Sequence, residues 1–228
     1  MVEFDTPTEV PAGHHVENGG PGLVFDLGGG VRATKLSVGR MDNNAYLLVP
    51  ASGPAVLVDA AAEADRLLEL VAGVDVRCIV TTHRHHDHIG ALAEVSAALE
   101  VRCFSGAPDA EAISEATGVE QRGLWTGDRV ALGDDHLEVV GLVGHTPGAI
   151  ALLWQPDEGP AHVFTGDSLF PGGPGRVNNP EDFDSLMSDL EEKVFTLPDD
   201  TVVHPGHGDA TTLGVERIHL PEWWARRW

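Results

Sequence analysis

The chain has 228 residues, 42% of them hydrophobic and 22% charged, which excludes a disordered or fibrous protein and suits one large globular domain. Its 36 Asp and Glu against 14 Lys and Arg leave a formal charge of −22, so no long-range field draws it to nucleic acid or to an anionic membrane surface. Two cysteines, Cys78 and Cys103, are too few for a disulfide framework, and each sits inside a short apolar run (VRCIV, VRCFS) as a core residue would.

Residues 1–22 mix Pro, Gly and acidic residues without periodicity and read as an irregular arm in which His14 and His15 face solvent. A charged start feeding an apolar run is missing, as is any stretch of membrane-spanning length, so a cytoplasmic location is expected. From Leu23 onward, short apolar runs broken by turn residues predict antiparallel strands at LVFDL, RATKLSVG, AYLLVP and AVLVDA, with a turn at Gly28-Gly29-Gly30. EADRLLELVAG carries Leu67, Leu70 and Val71 at helical spacing and stops at Gly73. VRCIVTT is a buried strand by its β-branched content, and HDHIGALAEVSAALE predicts one helix with Ile89, Leu92, Ala93 and Leu99 in a stripe. Further strands are predicted at VRCFS, DRVAL, HLEVVGLV, AIALLW, HVFTG and TVVHP, and helices at DAEAISEAT and EDFDSLMSDLEEKVF. Asn179 and Pro180 supply an N-cap and a first-turn proline for the last of these. No linker divides the chain, which predicts one α/β domain over residues 1–228, two β layers covered by helices. The Trp-rich tail at 215–228 sets Trp223, Trp224 and Trp228 beside Arg226 and Arg227, and is expected to cap the fold or form a homodimer contact.

The chemistry lies in a cluster of histidines and carboxylates at strand ends. His83, His85, Asp87 and His88 fall within six residues where a buried strand gives way to a helix. Three other apolar strands end in a candidate ligand: His145 after EVVGLVG, Asp167 after HVFTG, and His207 after TVVHPG. Neutral imidazoles supply affinity for borderline divalent ions, and carboxylates neutralise and bridge them, so five His with two Asp suit a two-metal site. Glycines beside these residues let the backbone turn sharply next to the ions. His86, His136, His162, His204 and His219 lack ligand spacing and are expected to be structural or to support the ligands.

The run His83 to His88 meets the His-x-His-x-Asp-His signature of the metallo-β-lactamase superfamily, which the sequence resembles from about residue 31 to 215. The resemblance implies the four-layered αβ/βα sandwich: two mixed β-sheets flanked by helices, with the site along the open edge between them. It implies that His83, His85 and His145 hold one metal, that Asp87, His88 and His207 hold a second, and that Asp167 bridges the two. Asp59 resembles the acidic residue that the superfamily places behind its ligands.

Within the superfamily, THRHHDHIG, GHTPG, TGDSLF, FTLPDDT and PGHG followed by TTLGVER look most like the glyoxalase II and persulfide dioxygenase branch. This implies a metal-dependent hydrolase that cleaves an acyl thioester, or a related ester, of a low-molecular-weight thiol through a hydroxide bridging two divalent ions. Zinc is the expected metal, with iron or manganese as substitutes, and Asp87 orients the water. A thiolate, with a reference pKa of about 8.5, leaves with little acid assistance. Arg176 stands where the family places a basic residue that contacts the thiol's carboxylate, but Asn178 replaces the expected tyrosine. The chain also stops about twenty residues after His207, where glyoxalase II continues into a helical domain that holds part of its glutathione site; together these point to a different thiol carrier. The alternatives are a persulfide dioxygenase using a single Fe(II) on His83, His145 and Asp167, which FTLPDDT favours, and a non-catalytic metal-binding scaffold.

Overall fold

The computed structural model describes residues 15–227; His14 and Trp228, both named above, lie outside the described residues. The first sheet contains β1 (Leu23–Asp26), β2 (Val31–Val38), β3 (Asn43–Pro50), β4 (Ala55–Val58), β5 (Val76–Thr81), β6 (Arg102–Gly106) and β7 (Gln121–Leu124), side by side in chain order. Pairing is antiparallel from β1 to β4 and parallel from β4 to β7. The parallel half is interleaved with α1 (Ala64–Leu70), α2 (His86–Ile89), α3 (Leu92–Leu99) and α4 (Ala110–Thr117).

The second sheet is built from β8 (Arg129–Leu132), β9 (Asp135–Gly141), β10 (Ile150–Trp154), β11 (His162–Gly166), β14 (Val202–Pro205) and β15 (Thr211–Thr212). The short pair β12 (Leu169–Phe170) and β13 (Gly173–Pro174) stands beside it. Helix α5 (Pro180–Asp189) continues as a π turn over Leu190–Val194, and α6 (Leu213–Arg217) and α7 (Leu220–Arg226) close the chain. Asn179 caps α5 as expected, its side chain accepting from the Asp182 N–H at 2.8 Å.

Three apolar clusters account for the layers. Phe25, Tyr46, Leu48, Val58 and Val80 of the first sheet meet Leu137, Val139, Leu152, Trp154 and Phe164 of the second. The outer face of the first sheet packs Leu57 and Ile79 against Leu67, Leu92 and Val95 of the helices. On the far side, Ala151, Val163 and Val203 are covered by Phe183, Leu186, Leu190 and Trp223. Central strands buried on both faces read as unbroken apolar runs, as in AVLV of β4, whereas the edge strand β8 alternates exposed and buried residues. The C-terminal segment caps the second sheet: Trp223 is buried and Trp224 meets Phe183 edge-on. Cys78 and Cys103 are buried, and burial pushes both thiols up to about 11. No described helix is long and apolar enough to cross a membrane.

One predicted helix is two. HDHIGALAEVSAALE breaks between α2 and α3, because the Ala91 N–H bonds to Ala60 O at 3.0 Å and a Cβ at Gly90 would lie 2.7 Å from Ala61 O. The loop after β4 thus pins the break between α2 and α3.

Two of the histidines without ligand spacing are structural. His204 is buried, stacks on Phe164 and Phe25, and shares a 3.1 Å N···N hydrogen bond with His162. Burial holds His162 down to about 4; burial, then His162 and Lys35, hold His204 well below the ordinary imidazole range. Both stay neutral in the folded chain, while the unfolded chain takes up protons below about 6.5. Stability is therefore complete above that pH and falls as pH drops toward 4, by about 2 kcal/mol per histidine between pH 7 and 5. Urea unfolding across this range should show a smaller loss for His204→Phe than for the parent; equal slopes would contradict the assignment.

Candidate metal centre

Five strands deliver side chains to one edge of the sandwich. Strands β4 and β5 are parallel neighbours, as are β11 and β14, and β9 runs in the direction of β11 because each is antiparallel to β10. Their C-terminal ends lead into Asp59, His83, Asp167, His207 and His145 respectively. The sheets are tied together at this edge: Tyr46 Oη donates to Pro205 O at 2.7 Å, Asn44 N to Gly206 O at 2.7 Å, and Ile150 N to Thr82 O at 2.9 Å.

All seven predicted ligand residues converge. His83 Nε2 lies 3.1 Å from His85 Nδ1 and 3.3 Å from His145 Nε2, forming one group. Asp87 Oδ2, His88 Nε2 and His207 Nε2 form another, with separations of 3.7, 3.3 and 3.2 Å. Asp167 lies between them: Oδ1 is 3.3 Å from His88 Nε2, and Oδ2 is 3.3 Å from His207 Nε2, 3.6 Å from His145 Nε2 and 3.9 Å from His83 Nε2. His86 is almost fully exposed, with Nδ1 3.8 Å from Asp87 Oδ1, and belongs to neither ligand group.

The donor chemistry fits cations. An acceptor faces the outer nitrogen of four imidazoles: Asp59 Oδ2 for His88 Nδ1 (2.9 Å), Arg176 O for His145 Nδ1 (2.6 Å), Met41 O for His207 Nδ1 (2.7 Å) and Thr82 Oγ1 for His83 Nδ1 (3.0 Å). Each such bond places the proton on the outer nitrogen and leaves the Nε2 lone pair facing the centre. Asp167 Oδ1 is buried and accepts no hydrogen bond, as befits an oxygen whose natural partner is a cation.

The charges agree. Burial opposes ionisation of Asp167, but His207 and His88, each 3.3 Å from one of its oxygens, hold its carboxyl far below the usual range. Burial likewise opposes a charged His88, yet Asp59 and Asp167 push it up to about 10. Burial, with neighbouring histidines, keeps His83 and His85 neutral. The carboxylates thus demand positive charge at the same spot where lone pairs converge, and groups of His and Asp here could bind metal.

Asp59 supports this arrangement from an αL backbone (φ 57°), accepting from Thr82 N at 2.7 Å and Thr82 Oγ1 at 2.8 Å besides facing His88. Two contributors were not read from the sequence. Asn43, buried at the start of β3, donates from Nδ2 to Asp87 Oδ2 at 2.9 Å and lies 3.4 Å from both His88 Nε2 and His207 Nε2. Asp109, at the head of α4, bonds to the loops that carry His85 and His145. Asn43 sits in Asp-Asn-Asn between two strands, a turn signal that hides its role.

Gly206 is required by close approach: a Cβ there would lie 2.7 Å from His88 Cε1 and nearer still to Asp167 Oδ1. Gly206→Ala is expected to weaken metal binding at least tenfold, by pushing these two side chains apart. Metal titration of the variant checks this, and parent-like affinity would contradict it.

A cavity of about 240 Å³ opens beside His85 and His145, lined also by Arg84, Val143, Asn178 and Asp182. Asn178 is therefore placed at the site. Arg176 contributes its carbonyl to His145, and its side chain is exposed.

A family model described as the metallo-beta-lactamase superfamily matches residues 38–207. Hydroxyacylglutathione hydrolase GloC of Haemophilus influenzae is 28% identical over 208 residues, covering 82% of this chain and 95% of that protein. A hydroxyacylglutathione hydrolase of Fuscovulum blasticum is 38% identical over 170 residues and 73% of this chain, which spans 62% of that protein's length. Among solved structures, TTHA1623 in a di-iron-bound form superposes with a TM-score of 0.65 at 32% identity, covering 80% of this chain and 96% of the other.

Proposed function

The chain belongs to the metallo-beta-lactamase superfamily, and from that premise we propose that it is a glyoxalase II-like hydrolase that cleaves an acyl thioester of a low-molecular-weight thiol with two divalent ions, zinc foremost. The observation that carries this reading is the carboxylate of Asp167 between two complete groups of ligand atoms. His83, His85 and His145 would hold one ion, and Asp87, His88 and His207 the other. The relatives named hydroxyacylglutathione hydrolase support the reaction class, and the di-iron form of TTHA1623 supports a paired site.

Bound divalent ions supply a Lewis acid for the carbonyl and a water acidic enough to attack near neutral pH. The chain's part is to place and polarise. Asp87 stays ionised although burial opposes it, because Asn43 donates to its Oδ2 and His88 and His207 lie close; its carboxylate can orient the attacking water. The phenol and the thiols are out of reach: Tyr46 Oη is bonded to Pro205 O, and both cysteines are buried in the cores. Attack by water therefore suits the site better than a covalent intermediate.

The test is thiol release, without oxygen, from S-lactoylglutathione and a panel of shorter acyl thioesters, run beside oxygen uptake with a persulfide. Thiol release by the metal-loaded protein is the expected result. Oxygen uptake by an iron-loaded protein that hydrolyses nothing would replace this reading with a one-iron dioxygenase, and inertness in both with metal bound would leave a scaffold.

A further inference from the structure

The carboxylate of Asp109 is fully buried, yet it lies in neither ligand group. It heads α4, where an acidic residue ordinarily caps the helix, but its side chain makes no cap bond. Its oxygens turn instead to two loops from different sheets. From the loop after β5, Arg84 N donates to Oδ2 at 3.1 Å, and Arg84 Nε stands 3.6 Å from Oδ1. From the loop after β9, Thr146 Oγ1 donates to Oδ2 at 2.6 Å and Gly148 N to Oδ1 at 3.0 Å. Arg84 lies between His83 and His85, and Thr146 follows His145. The space is tight, since a Cβ on Gly148 would lie 2.4 Å or more from Asp109 atoms and collide with them.

We infer that Asp109 is the positioning residue of the first ligand group, setting the distance between the His83–His85 loop and the His145 loop and thereby the affinity for the ion those three histidines hold. This rests on the ligand groups of the proposed function. The two loops come from separate sheets and share no strand ladder, so beyond the Ile150 N–Thr82 O bond behind them their spacing depends on what bridges them. A buried carboxylate with two or more donors on each oxygen or beside it is a stiff bridge, because ionised acceptors form the shorter and stronger hydrogen bonds. The second group is held from the other side, by Asp59 behind His88 and Asn43 beside Asp87. Asp109 thus serves the first group alone, whereas Asp59 meets His88 of the second directly and reaches His83 of the first through Thr82 Oγ1.

The test is a crossed pair of variants read by metal titration. Asp109→Asn keeps the volume and removes the charge and one acceptor; Thr146→Val removes one donor and leaves Asp109 in place. Each is combined with His207→Ala, which disables the second group, or with His85→Ala, which disables the first. Asp109→Asn is expected to weaken zinc binding by the first group roughly 10- to 100-fold, within the range seen when outer partners of ligands are lost, and that of the second less than twofold. Thr146→Val should shift the first group in the same direction by a smaller factor, and cobalt bound there should change its visible absorption. Asp59→Asn, which touches His88 directly and His83 through Thr82, should weaken the second group and not spare the first, unlike Asp109→Asn. Equal weakening of both groups, or none, would overturn the inference. Should the parent bind one ion only, the two-metal reading falls, and weaker binding of that ion by the His207→Ala background with Asp109→Asn still supports Asp109's role.

Discussion

Asp167→Ala is expected to abolish turnover, lowering kcat/KM by on the order of 10³-fold or more. Its two oxygens lie 3.3 to 3.9 Å from four imidazole nitrogens belonging to both ligand groups, so one substitution removes a shared partner from both. The loss is specific, because no other carboxylate stands between the groups: Asp87 belongs to one of them, and Asp59 lies behind His88. The variant should still fold, since His88 keeps Asp59 as an anionic partner at 2.9 Å and the apolar layers hold the sheets together without Asp167. Thiol release and metal content measured together check this. Turnover within tenfold of the parent would refute the site.

Asp59 produces the second large effect, through stability as well as metal. Asp59→Ala strips the acceptor from Thr82 N, Thr82 Oγ1 and His88 Nδ1, all buried. Leaving such donors unpaired costs about 1 to 3 kcal/mol each in the worst case, so a net destabilisation of roughly 3 kcal/mol or more is expected by urea unfolding. It also frees the His88 ring to turn and removes the carboxylate that fixes its proton on Nδ1. Asp59→Asn keeps the shape but not the charge, and should lower affinity for the ion of the second group about 10- to 100-fold with a smaller stability loss. A Asp59→Ala variant as stable as the parent would contradict this account.

Much of the site was legible because ligands advertise themselves locally. His83, His85, Asp87 and His88 fall within six residues, and His145, Asp167 and His207 each follow an apolar strand with a glycine alongside. Strand direction then does the rest, bringing the ends of β5, β9, β11 and β14 to one edge. Asp59 was legible for the same reason, at the end of β4. Asn43 and Asp109 were not. Their partners are 25 to 164 residues away, and the contacts exist only once sheet order and register are known. Asp109 in particular reads as a helix cap, which its position satisfies and its side chain does not.

The fold divides in the same way. Strands with long apolar runs and the helices with a clear stripe were readable, and α5 even to its cap. The split between α2 and α3 was not, because its cause is the backbone of Ala60 and Ala61, distant in sequence. Nor were β7, β12, β13 and β15, which are two to four residues long and carry no period. The tail was open between cap and dimer contact; Trp223 is buried in the layer that covers the second sheet, and Trp224 packs beside it.

Elemental analysis of protein grown with zinc and iron both supplied tests whether Asp167 joins two metal positions in one site. Close to two divalent ions per chain are expected in the parent and fewer than one in Asp167→Ala. A parent holding a single iron, with an unaltered count after replacement of Asp87, would contradict it.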